Sequence, residues 1–153
     1  MTSSANRKLY LLRRLKRFGV SVADLTTVFT TYIRPALEYA TPVWHSSLTV
    51  KQTASLERIQ KRACKIILGP CYHSYESAME TLNLTTLSDR PVSICRSFAM
   101  SLLNSEFRNW LPPLRQDISG RQTRNSHKLD TPLCRRTRYK NSPIPYMVGL
   151  LNS

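Results

Sequence analysis

Residues 7–68, RKLYLLRRLKRFGVSVADLTTVFTTYIRPALEYATPVWHSSLTVKQTASLERIQKRACKIIL, carry the reading that decides the fold. The stretch reads as two basic helices joined through an apolar segment that ends at Trp44. In the first, residues 7–18, Leu11, Leu12, Leu15 and Phe18 recur at the three-, four- and seven-residue spacings of one helical face. Arg7, Arg13, Arg14 and Arg17 fall on the opposite face with no acid among them. In the second, roughly residues 50–68, Leu56, Ile59, Ala63, Ile66 and Ile67 share one side at ~100° per residue. Lys51, Arg58, Lys61, Arg62 and Lys65 share the other. Ordinary solvated faces mix signs, whereas unmixed cations repel one another unless a polyanion neutralises them. The pattern predicts a platform that grips phosphates, through counterion release and guanidinium forks rather than base readout.

Between the two basic helices, Gly19 suits a helix C′ position because it tolerates positive φ. Ser21 is a candidate N-cap with Asp24 three residues on, and Val22, Leu25, Val28, Phe29, Tyr32 and Ile33 supply a buried face. Pro35 must disturb that helix, since it lacks the N–H and crowds the preceding turn. The apolar residues 36–44 then read as a kinked or broken helix packed in the core.

Thr49 is placed to cap the second basic helix, and Gly69-Pro70 to stop it. A short helix over 75–82 follows, capped by Ser74. A longer one over 89–104 has Ser88 as its cap candidate and Pro91 in its first turn, where proline is tolerated. After Phe107 and Trp110 the composition changes at Pro112-Pro113. From there to the end stand eight basic residues against two acids, with no helical period before Ile144. The apolar residues 144–151 have the composition to dock back onto the helical part. These readings predict an all-α protein: a bundle of four to five helices over 7–111, a disordered terminus at 1–6, and a basic, largely extended tail over 112–153.

A chain of 153 residues is long enough for one domain with a real core. Its 23 Lys plus Arg against 9 Asp plus Glu leave a net charge of +14, which points to a polyanionic partner and says nothing of fold. No apolar run approaches the ~18 residues of a membrane span, and no signal peptide is recognisable, so the expectation is an intracellular protein, nuclear or cytoplasmic, with no membrane partner. In that compartment Cys64, Cys71, Cys95 and Cys134 are expected as thiols.

The strings KLYLLRRLKRFGVS, YIRPALEYATPVWHSSLT, LERIQKRACKIILG, TLSDRPVSICRSFA, FRNWLPP and RTRYKNSPIPYMVGLLN together resemble the region after the polymerase palm in reverse transcriptases of non-LTR retrotransposons, the jockey-like group. The likeness runs from Lys8 to Asn152. It implies a thumb-like helical domain that helps hold a template–primer duplex of RNA, DNA or hybrid, with an upstream palm as its missing neighbour. The palm's aromatic-Ala-Asp-Asp turn is absent here, and no two acids are adjacent. Two-metal phosphoryl transfer needs clustered carboxylates, so the chain is not expected to be an enzyme by itself or to carry a cofactor. Residues 8–49 are also similar to a short helical segment assigned to the N-terminus of an AlkB-homologue tRNA-modifying enzyme. That enzyme's iron site would need His-x-Asp and a distant His, whereas His127 and Asp130 have two residues between them.

The tail cations Arg121, Arg124, Arg135, Arg136, Arg138 and Lys140 are further candidates for the nucleic-acid contact. Tyr32, Tyr39, Trp44 and Phe98 stand at core spacings, which argues for packing over base stacking. Cys64, Cys71, His73 and Cys95 do not have zinc-ligand spacing, so no metal site is expected. The rival to a nucleic-acid grip is a small helical adaptor whose cations meet an acidic protein.

Overall fold

The computed structural model describes residues 2–87 and 89–153. In chain order the helices are α1 (Thr2–Arg17), α2 (Val22–Val28), α3 (Arg34–Glu38), α4 (Thr41–Trp44) and α5 (Val50–Leu68). They continue with α6 (Tyr75–Thr81), α7 (Arg90–Leu103), α8 (Arg115–Ser119), α9 (Thr137–Lys140) and α10 (Pro143–Asn152). No β-strand occurs among the described residues, and one isolated antiparallel bridge joins Leu114 to Leu129. The protein is all-α. Its chain divides into two compact units, the first comprising the residues up to Tyr39 with Thr49–Arg90, the second Ala40–Leu48 with Pro91–Ser153.

In the first unit α1 packs along α5. Helix α1 begins at Thr2, so the disordered terminus expected over residues 1–6 is helical from its second residue. That extension changes which stripe faces inward. Ala5, Leu9 and Leu12, at i, i+4 and i+7, are buried, Leu15 is half-buried, and Leu11 and Phe18 are exposed. Phe18 was expected in the core, but Gly19 at φ +79° ends the helix there and leaves the ring outside.

Ser21 caps α2 by accepting from the Asp24 N–H at 3.2 Å. Ahead of Pro35 the helix widens into a π-turn over Phe29–Ile33, which makes room for a ring that an α-turn would crowd. The widened turn breaks the 100° period. Phe29, Ile33 and Leu37 therefore stay buried, while Tyr32 is pushed out to 50% exposure. Tyr39 is exposed too, because the chain turns away at Ala40 in the left-handed region (φ 53°). The core role expected for Tyr32 and Tyr39 does not hold, and Phe98 in the other unit is likewise exposed; Trp44 is half-buried.

A polar seam fastens the loop after α6. The Thr85 carbonyl accepts from the Arg34 guanidinium at 2.6 Å and from Gln60 Nε2 at 2.9 Å, and the Leu87 N–H donates to Glu57 at 3.1 Å. These bonds satisfy backbone groups that the irregular loop leaves without ladder partners. Thr86 Oγ1 accepts from the Asp89 N–H at 3.1 Å ahead of α7; the expected cap Ser88 lies outside the described residues.

The second unit buries Ala99, Leu102, Leu111, Leu129, Met147 and Val148 in one cluster. Its core thus draws on both sides of the boundary expected at 111/112, and residues 112–153 are not a free tail. Residues 120–136 carry no regular helix, as an extended segment should. They are nonetheless anchored: Asn152 accepts from the Leu129 N–H and donates to the Leu129 carbonyl, both at 3.0 Å, and Lys128 Nζ reaches the Asn152 carbonyl at 2.7 Å. Helix α10, the docking segment expected over 144–151, packs beside α4, where Tyr146 meets His45 edge-on at 5.8 Å.

Candidate nucleic-acid interface

Helix α5 starts at a complete capping box. Gln52 N–H donates to Thr49 Oγ1 at 3.3 Å and Thr49 N–H to Gln52 Oε1 at 2.9 Å. It ends at Gly69, whose φ of +57° suits glycine. Between these stops Lys51, Arg58, Lys61, Arg62 and Lys65 are all exposed, spread over ~21 Å of helix axis. The helix's one acid, Glu57, is diverted: half-buried, it takes the Tyr75 hydroxyl and the Leu87 N–H. Burial and the bond to Glu57 push the Tyr75 phenol up, so it stays a neutral donor. The face is left without a negative charge of its own.

Two of its ammonium groups rest on rings. Lys61 Nζ stands 4.8 Å from the Tyr75 centroid and Lys65 Nζ 5.3 Å from that of Tyr72. Such contacts restrict a lysine head without neutralising it. Sequence reasoning passed over both tyrosines, although each follows α5 closely enough in the chain to fold back over it.

On α1, Arg7, Arg13, Arg14 and Arg17 are exposed, and Arg14 lies 5.9 Å from the Phe18 ring. The two lysines of this helix do structural work instead. Lys16 Nζ donates to the Ile67 carbonyl at 2.8 Å, a cation on the negative end of α5. Lys8 Nζ donates to the Tyr32 carbonyl at 3.0 Å and sits 4.0 Å from that ring. Among the described residues the ion pairs of this unit centre on Glu38, shared by Arg34 (3.4 Å) and Arg90, and none of the nine candidate cations on α1 and α5 is in one.

Arg135, Arg136 and Arg138 are exposed around α9 in the second unit, as are Arg121 and Arg124 in the segment before it. Cys64 and Cys95 are buried free thiols, Cys71 is an exposed one and Cys134 is half-buried. Among the described residues no three of His, Cys, Asp and Glu gather as a metal-holding group, and no helix is long and apolar enough to cross a membrane. No family model, curated protein or solved structure matches this chain.

Proposed function

We propose that this protein binds nucleic acid through backbone phosphates, with α5 as the main platform and α1 as a second. One observation carries the reading: nine exposed cations on two packed helices have no carboxylate partner among the described residues, and the one acid of α5 is turned inward. A phosphate chain would neutralise them at little cost in desolvation and release its condensed counterions. The likeness to the post-palm region of retroelement reverse transcriptases points the same way, toward holding a template–primer rather than performing the transfer. The nine acids, none adjacent to another, suit that division of labour.

Fluorescence anisotropy with a labelled duplex tests the reading. With the five α5 cations engaged, log affinity should fall against log salt with a slope of roughly −4 to −5. Reversing four of them together (Arg58→Glu, Lys61→Glu, Arg62→Glu, Lys65→Glu) should weaken binding at least ~100-fold and flatten the slope, with the helical circular dichroism retained because all four are exposed. Unchanged binding by that variant, or salt-insensitive binding to an acidic protein in place of nucleic acid, would sink it.

A further inference from the structure

The outer side of α1 is not purely cationic. Around the helix at ~100° per residue, Arg13, Asn6, Arg17, Tyr10, Arg14, Arg7 and Phe18 lie within about 140° of circumference. Both rings stand in water, Phe18 at 74% and Tyr10 at 62% exposure. Tyr10, Arg14 and Phe18 are spaced i, i+4 and i+8, a ring–cation–ring row along one line of the helix. We infer that this row binds single-stranded nucleic acid, each ring stacking on an unpaired base while Arg14, with Arg7 and Arg17 beside it, holds the phosphates between.

The inference rests on the nucleic-acid reading above and narrows it to strands with unpaired bases. A duplex offers phosphates to the arginines but hides its base faces, so exposed rings add nothing to duplex binding. A single strand presents a π-face at every base, and stacking is worth ~1–3 kcal/mol per base. The two rings lie ~12 Å apart along the axis, too far to share one base and with room for a phosphate between them. On α5 the rings are used differently: Tyr72 and Tyr75 are half-buried beneath lysines, which leaves that face to phosphates alone. An anionic membrane surface would call for a continuous apolar stripe on the exposed side of the helix. The continuous stripe of α1, Ala5, Leu9 and Leu12, is buried instead.

The intact chain is titrated against a short oligothymidylate, against a blunt-ended duplex of equal phosphate number and, separately, against phosphatidylserine vesicles, as wild type, as Tyr10→Ala/Phe18→Ala, and as Tyr10→Phe/Phe18→Tyr. The alanine pair should lose ~10- to 100-fold on the single strand and under about twofold on the duplex, and the ring-conserving pair should keep wild-type affinity for both. Equal losses on the two ligands, or no loss on either, would overturn the inference while salt-dependent duplex binding left the phosphate grip standing. Absence of binding to both ligands would remove both proposals. Loss of binding to phosphatidylserine vesicles with oligonucleotide binding intact would also overturn it. Both positions are exposed, so circular dichroism and thermal melting should be unchanged.

Discussion

Cys64 shows how much a single position on α5 depends on its angle around the helix. One residue before Lys65, which is solvated, the Cys64 thiol has no exposed surface, and burial lifts it from the usual 9.0 to about 11. A raised thiol pKa favours the folded state while the unfolded chain still holds its proton, and that advantage is lost as the unfolded thiol ionises. The Cys64 contribution should therefore be constant below about pH 9 and decline between 9 and 11, by on the order of 2–3 kcal/mol. Cys95 and Tyr75, both raised by burial, act with the same sign, so the Cys64 share is the difference between wild type and Cys64→Ala. Urea midpoints at pH 8 and 10.5 should converge in the variant relative to wild type; an identical decline would refute the assignment. Gln60 tells a similar story. It is fully buried on the same inner side, satisfied by Thr85 through Nε2 and unpartnered at Oε1. Its position on the apolar side of the wheel was readable; its partner, 25 residues away, was not.

Among the elements, the starts and stops were legible because they are local chemistry. Ser21, Thr49 and Ser74 cap the helices they were expected to cap, and Gly19 and Gly69 take the positive φ that ends α1 and α5. Thr49→Ala should cost about 1 kcal/mol, since it strands an N–H of the first turn and dissolves the pairing with Gln52. Chemical denaturation would register that as a shifted midpoint with an unchanged slope. Faces were harder to read than ends. The inward stripe of α1 depends on where α5 lies, and five extra residues at its start offer Ala5 as an alternative to Phe18. Pro35 foretells a disturbance but not an inserted register shift, so a regular 3.6-residue period places Tyr32 on the buried side while the π-turn turns it out.

Across the whole molecule, residues 112–153 were the least legible part. Their charge and lack of period described a tail, yet Leu129, Met147 and Val148 are core residues, and Asn152 bonds both backbone groups of Leu129. Deleting residues 143–152 should unfold the second unit rather than trim it, because loss of a single buried Met or Leu typically costs 2–5 kcal/mol. Amide hydrogen exchange over α7 in the truncated chain would measure this; retained protection would show that the segment is dispensable.

The amino-acid order by itself determined the helical class, the ends of α5, α6 and α7 to within a residue, and the separation of cations from apolar residues on α5. All of these depend on neighbours within a few positions, where propensity, capping and the 3.6-residue period act. Only the tertiary structure decided which stripe of α1 turns inward, that Glu57 leaves the cationic face for Tyr75, and that Asn152 clasps Leu129. Those outcomes depend on partners 18 or 23 residues away, or on a separate helix, and local period carries no information about where such partners come to rest.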